Sequence, residues 1–354
     1  VEIFIGAGRS RQIQSLQKGE KGMKGKRTRF LLSAILASFC LSLIIATAGM
    51  GAGKPVFLGF AGGPSGGVYG KAAAAIAVVL KDKTGGSISP TVQGTSGGAE
   101  NVALVSTGKA DMSIGAAADL HEAYYGEGLW KGKQTTNFRI VGNTFDAVMN
   151  LVVLEKSGFK TVKDLAGKKV SMGSPNSASA GFSDRFLTEL GVKVQKQFLA
   201  GGDAQVALKD GQLDAYCWGP GMPAPDVVDL TSTTAIRLLD LGTPAKEVNF
   251  FNKYKFYRPF TVPKGTYKGV DYEVPTVACG TYWIVMKDLP EDLVYQMAKI
   301  AWNNLEALKK GFGPLHVMRA NESAISGIDV PLHPGAEKFW KEIGVNIPEA
   351  VRSK

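Results

Sequence analysis

The chain has 354 residues, 45% of them apolar and 20% charged, which is enough to bury one large core or two ordinary ones and excludes a disordered chain. Its net charge of +10 is concentrated at the start. Residues 1–48 hold eight Lys/Arg and two Asp/Glu, which leaves 33 against 29, or +4, for the rest, and no Lys/Arg stripe interleaved with aromatics follows, so nucleic acid is excluded as a partner.

Residues 23–48 read as a secretory signal peptide: Lys24, Lys26, Arg27 and Arg29, an apolar run from Phe30 to Ala46, then Ala46-Thr47-Ala48 as an A-x-A cleavage site. Cleavage near Ala48 predicts an exported, periplasmic protein. Cys40 lies inside the apolar run and is poorly placed for lipid modification. Residues 1–22 read as a non-native upstream extension, with translation expected to begin at Met23. No later stretch reaches 18 apolar residues, so a soluble body is expected.

From residue 54, short β-rich runs alternate with helical ones, the pattern of an α/β protein with mostly parallel sheets. "PVFLGFA" (55–61) is a strand, followed by a glycine loop and a helix from Val68 to Lys83. "ISPTVQ" is the next strand, "GTSGGAEN" its loop, "NVALVSTG" a helix and "ADMSIGAA" a third strand. After "NLVVLEKSG" a second round begins, with "KKVSMGSP" as strand, "NSASAG" as loop and "FSDRFLTELG" as helix; "VQKQFLA", "DAQVALKDG" and "LDAYCWG" continue it. In both rounds a helix stops at glycine before x-x-Asp and a strand, "GKADMSIG" and "GQLDAYCWG", as a left-handed glycine C-cap predicts. The C-terminal part holds a Pro/aromatic-rich stretch from Phe250 to Pro275, the strand "YWIVM", an amphipathic helix over 290–310 and a last helix "GAEKFWKEIG".

The glycine loop "GGPSGGVYGK" (62–71) fails as a Walker A motif, because Ser65 stands where the first glycine belongs and Ala72 follows Lys71. It also lacks the Gly-x-Gly spacing of a dinucleotide fingerprint. A strand that runs through glycines onto a helix start does present free backbone N–H groups and the positive end of the helix dipole to an anion. A tight β-to-α turn that needs glycine only for positive φ explains one such loop equally well. Three occur, however, and they supply Ser65, Tyr69, Thr95, Ser96, Asn101, Ser174, Asn176, Ser177 and Ser179. In an α/β sheet such loops meet at the carboxyl ends of the strands, so a cleft between two lobes would be lined by neutral donors from both sides. Trp218 in "YCWGPGMPAP" follows a strand and reads either as a pocket wall or as a core aromatic.

No catalytic or metal motif emerges. His121 stands alone, His316 and His333 lie near prolines like turn or cap residues, and CxxC, HExxH and GxSxG are missing. Neither a cofactor nor a metal is expected. Export permits Cys217 and Cys279 to pair, and their apolar surroundings suit buried free thiols as well.

In order and spacing, "GGPSGGVYGKAAAAIA", "VQGTSGGAENVALVSTGKADMSIGAA" with "AYYGEG", "SGFKTVKDLAGKKVSMGSPNSAS", "ALKDGQLDAYCWGPGMPAP", "VPKGTYKG", "VPTVACGTYWIVMKDLPEDLVYQMAK" and "LHPGAEKFWKEIG" resemble TRAP-transporter solute-binding proteins of the TAXI type. The resemblance runs from about Val56 to Gly344. It implies a two-lobed periplasmic-binding-protein type II fold, with 54–147 in lobe 1, 148–250 in lobe 2 and 251–354 returning to lobe 1. It also implies delivery of a small organic ligand to an ion-gradient-driven permease with fused small and large integral subunits. Gly66, Gly67, Tyr69, Thr95, Gly97, Gly98, Asn101, Ser174, Ser177 and Ser179 fall where the family forms its ligand pocket. Asn176-Ser177-Ala178-Ser179 departs from the family's usual Gly-Ser-Gly-Thr, which bears on pocket size. Helix N-termini suit carboxylates, and the resemblance points to a dicarboxylate such as glutamate or 2-oxoglutarate. Arg139, Arg185 and Arg258 are possible carboxylate clamps. The binding subunit of an ABC importer and an enzyme on the same two-lobed fold are the alternatives.

Overall fold

A computed structural model describes residues 54–63 and 67–353. The expected upstream extension (1–22), the signal peptide with Cys40 (23–48), Ser65 and Gly66 lie outside the described residues.

Eleven strands form two sheets among the described residues. The first holds β1 (Val56–Ala61), β2 (Ile88–Gln93), β3 (Met112–Ala116), β4 (Phe138–Val148), β10 (Tyr257–Val262) and β11 (Val274–Met286). The second holds β5 (Asn150–Leu154), β6 (Lys169–Ser171), β7 (Gln195–Gln197), β8 (Ala215–Trp218) and β9 (Ile236–Leu238), in the order β7-β6-β8-β5-β9. Helices pack between and around them: α1 (Val68–Lys83), α2 (Gly98–Ser106), α3 (Ala117–Tyr125), α4 (Ala178–Glu189), α5 (Gly201–Lys209), α6 (Pro225–Thr233), α7 (Gly242–Glu247), α8 (Phe250–Lys253), α9 (Glu291–Asn303), α10 (Leu305–Gly311) and α11 (Pro334–Glu342).

The α/β architecture is as the sequence predicts, but the sheets are mixed rather than mostly parallel. β1 pairs in parallel with β2 and β3, and β6 with β7 and β8. In contrast β11 runs antiparallel to β3, β4 and β10, and β5 antiparallel to β8 and β9. The β-loop-α grammar describes right-handed crossovers, which yield parallel neighbours. It is silent on the strands that carry the chain from one sheet to the other, and these return in the opposite sense.

The repeated glycine stop has a structural partner. Gly108 and Gly211 take positive φ of 71° and 74°, and the aspartate three residues later then pins the neighbouring parallel strand. Asp111 Oδ2 accepts the Gly59 N–H at 2.6 Å, and Asp214 Oδ2 accepts the Lys169 N–H at 2.8 Å. The same device therefore sets β3 against β1 and β8 against β6.

Alanines make α1 narrow on its buried side, where Ala72, Ala73, Ala75, Ile76, Ala77, Val79 and Leu80 are packed away from water. Behind the first sheet, Trp283 stacks on Trp302 at 6.3 Å and Trp302 meets Trp340 edge-on at 4.8 Å. Gly142 lies under both of the latter, where a Cβ would come within 2.6 Å of Trp302. The expected single helix over 290–310 is two, broken at Asn304 (φ −126°, ψ 38°). Cys217 and Cys279 are buried and unpaired.

Candidate functional site

A cavity of about 350 Å³ opens where helix starts from both sheets converge. Gly67, Val68, Tyr69 and Lys71 come from the start of α1, and Ser96, Gly97 and Gly98 from the start of α2. Ser174, Ser177, Ala178 and Ser179 surround the start of α4, while Ala200, Gly201, Gly202 and Gln205 belong to α5. Trp218, Gly219 and Pro220 follow β8, and Pro225, Asp226 and Asp229 lie on α6.

Capping decides what this arrangement offers. The first N–H groups of a helix have no acceptor within the helix and need one from elsewhere. Ser177 supplies one to α4, its Oγ accepting the Ala180 N–H at 3.2 Å. The starts of α1, α2 and α5 have no side-chain cap. At α6, which also lacks a side-chain cap, Pro225 removes one of the free donors, and Asp226 accepts the Tyr216 hydroxyl at 2.9 Å. The uncapped starts of α1, α2 and α5 thus face one cavity from two sheets and present free N–H groups and the positive ends of their dipoles to it.

Of the residues singled out from sequence, Gly67, Tyr69, Ser96, Gly98, Ser174, Ser177, Ser179 and Trp218 line the cavity. Three others do not. Asn101 is fully buried and turned toward β3, with Nδ2 donating to the Ile114 carbonyl at 2.9 Å. Thr95 donates its hydroxyl to Asn101 Oδ1 at 2.5 Å and so belongs to the same bond network. Asn176 is an exposed turn residue at φ 58°, a conformation its short amide side chain tolerates. Ser179 has a second function beside the cavity, because its Oγ accepts the Gly219 N–H at 3.1 Å and ties the start of α4 to the loop after β8.

The α5 start was missed, although "FLAGGDAQ" repeats the strand–glycine–helix pattern of the other three loops. Reading the helix as beginning at Asp203 hid it; the structure begins it at Gly201. Gly201 lies against Trp218, where a Cβ would come within 2.6 Å of the indole. Lys71, an exposed residue one turn into α1, also lines the cavity. No arginine does so. Arg139 donates to the carbonyls of Thr136 and Phe138, Arg185 pairs with Glu122 and donates to the Tyr257 hydroxyl at 2.8 Å, and Arg258 pairs with Asp146.

The reactive groups sit elsewhere or are silent. Burial pushes the Cys217 and Cys279 thiols up to about 12, which keeps both protonated near neutrality. His333 caps α11, its Nδ1 accepting the Gly335 N–H, and His316 contacts the Gly313 carbonyl, as cap and turn residues do. His121 pairs with Asp329 at 2.9 Å and Glu127 at 3.4 Å. Among the described residues, no three His, Cys, Asp or Glu are placed to hold a metal ion, and no helix is long and apolar enough to cross a membrane.

The fold has known counterparts. PhnD1 from Prochlorococcus marinus, solved in complex with methylphosphonate, is 13% identical with a TM-score of 0.51 over 74% of this chain and 91% of that one. A structure described as a periplasmic transporter is 16% identical, with a TM-score of 0.50 over 82% and 93%. A TctC solute-binding protein from Polaromonas is 18% identical, with a TM-score of 0.48 over 74% and 88%. At such identities the likeness is one of fold, and the fold is that of periplasmic solute-binding proteins. A family match runs through all four loops, from residue 60 to residue 344, and by it the chain belongs to the NMT1-like family.

Proposed function

We propose that this protein is an extracytoplasmic receptor that captures a small organic carboxylate between two lobes and hands it to a TRAP-type permease, without catalysing a reaction. In this reading the lobes are 54–147 with 251–354, and 148–250. The observation that carries it is the convergence of the uncapped starts of α1, α2 and α5 on one cavity. Backbone N–H groups and helix dipoles aimed at a single point stabilise a carboxylate without requiring an arginine, and Lys71 is a cationic residue of the same lining. The volume suits a four- to six-carbon acid.

The α6 wall refines the ligand. Asp226 and Asp229 on α6 also line the cavity, which suits an ammonium group on the ligand and ranks glutamate above 2-oxoglutarate. Asp226 is partly committed, since it accepts the Tyr216 hydroxyl at 2.9 Å.

A thermal-shift screen of C4 to C6 mono- and dicarboxylates and amino acids, after denaturing and refolding to remove any co-purified ligand, tests the reading. At about a thousand times its dissociation constant a true ligand adds roughly 4 kcal/mol of native-state stability and raises the midpoint by several degrees. A shift confined to one or two acids is the expected result, and a flat response to the whole panel overturns the carboxylate reading. Uptake by vesicles holding the permease, driven by an ion gradient without ATP, separates the TRAP-type partner from an ABC importer.

A further inference from the structure

Asp119 is a buried acid without an evident duty. It sits in the first turn of α3 at 7% exposure, and its Oδ2 has no hydrogen-bond partner among the described residues. Its position relates it to the cavity. A methyl group added at Gly98, the uncapped first residue of α2, would overlap Asp119 Oδ2 and lie 3.8 Å from the Tyr69 ring. Gly98 and Tyr69 both line the cavity. The unpartnered carboxyl is therefore separated from any bound ligand by a backbone that carries no side chain.

The groups facing Asp119 come from five elements: Tyr69 on α1, Glu122 on α3, Arg185 on α4, Tyr257 on β10 and Cys279 on β11. Arg185 is the one cation among them, and it is committed to Glu122 and to the Tyr257 hydroxyl. An ionised Asp119 would set its charge between that of Glu122 and that of a bound carboxylate beyond Gly98, with Arg185 already committed elsewhere. The arrangement accommodates the ligand at least cost when Asp119 is neutral.

We propose that Asp119 couples anion capture to proton uptake: a carboxylate seated against the start of α2 drives Asp119 to its neutral form, and the protein takes up one proton from solvent as the ligand binds. This rests on the carboxylate reading given above. Burial, then the Glu122 charge, already hold Asp119 up at about 7 against the opposing pull of Arg185, so the unliganded group is poised between its two forms at neutral pH. Bound negative charge raises it further. The sign follows from linkage: the complex holds more protons than the free protein, so affinity falls as pH rises through and above about 7.

Calorimetry of the purified protein with glutamate and 2-oxoglutarate, from pH 5.5 to 8.5 in buffers of different ionisation enthalpy, reads the proton directly. The expected result is uptake approaching one proton per ligand above neutrality, with the dissociation constant rising by up to about tenfold per pH unit there. The carboxyls of 2-oxoglutarate titrate near ~4 and do not contribute in this window. Asp119→Asn keeps the shape and removes the charge. It should bind at pH 8 as the wild type does at pH 6, with a flat profile and no uptake, whereas a contribution from His121 would persist in it. Binding without proton uptake in the wild type, or uptake that survives in Asp119→Asn, overturns this inference alone. If no acid binds at any pH, the carboxylate reading falls and this inference with it. The ligand-free proteins give an independent check: wild type should lose stability relative to Asp119→Asn as pH rises from about 4 to 7, because the folded state holds that proton longer than the unfolded chain. An unchanged difference over that range also overturns it.

Discussion

At the scale of single residues, two positions three apart on α2 do different work. Gly98 opens onto the cavity, whereas Asn101 turns away to join Thr95 and the Ile114 carbonyl. Asn101→Ala would leave the Ile114 carbonyl and the Thr95 hydroxyl short of a partner in a dry environment. It should lower stability by about 1 to 3 kcal/mol, read as a shift in urea midpoint, with ligand affinity changed by less than about threefold. A large loss of affinity at unchanged stability would return Asn101 to the binding site. Spacing alone did not separate these roles, because the "GTSGGAEN" loop tells where the helix begins but not which way its second turn faces.

At the scale of elements, the site is made of helix starts, and their caps matter more than their side chains. Ser177 caps α4, but α1, α2 and α5 have no side-chain cap and keep free N–H groups at the cavity. Gly201 is required at the start of α5 because Trp218 occupies the place of its side chain. Alanine is intrinsically better than glycine in a helix, so Gly201→Ala should leave the thermal midpoint within a few degrees. The displaced indole should nevertheless narrow the cavity and weaken ligand binding by about tenfold or more, measured by calorimetry. Unchanged affinity would show that Trp218 moves freely and is not a fixed wall. The α5 start was legible in "FLAGGDAQ", which has the grammar of the other loops. The break at Asn304 was less so, since both α9 and α10 continue with good helix formers.

At the scale of the molecule, elements of two sheets line one cavity, and the sheets are also joined by a largely buried ion pair. Arg185 on α4, which follows β6 of the second sheet, pairs with Glu122 on α3, which follows β3 of the first, and also binds the Tyr257 hydroxyl. Phe182, Phe186, Phe250 and Tyr257 pack around this joint. Truncating one partner of a buried pair costs roughly 3 to 5 kcal/mol, because the other charge is left behind. If the lobes close on a ligand as proposed, part of that cost falls on the closed form. Arg185→Ala should therefore weaken ligand binding by about ten- to a hundredfold and increase the radius of gyration in solution scattering. If neither changes, the pair contributes nothing to closure.

The sequence by itself determined the α/β class, the three glycine loops, the left-handed stops at Gly108 and Gly211 and the part of the cavity's lining those loops supply, because each depends on neighbours a few residues apart. A strand, a glycine turn and a helix start are written locally, and so is the free N–H that a helix start leaves. Tertiary structure decided what depends on distant partners. The antiparallel return of β11 between β3 and β4, the commitment of Arg185 to Glu122, the inward turn of Asn101 and the solitary carboxyl behind Gly98 all arise from segments 13 to more than a hundred residues apart. Periodicity and spacing carry no information on which face of one element meets which face of another, and that choice is made by the packing of the whole chain.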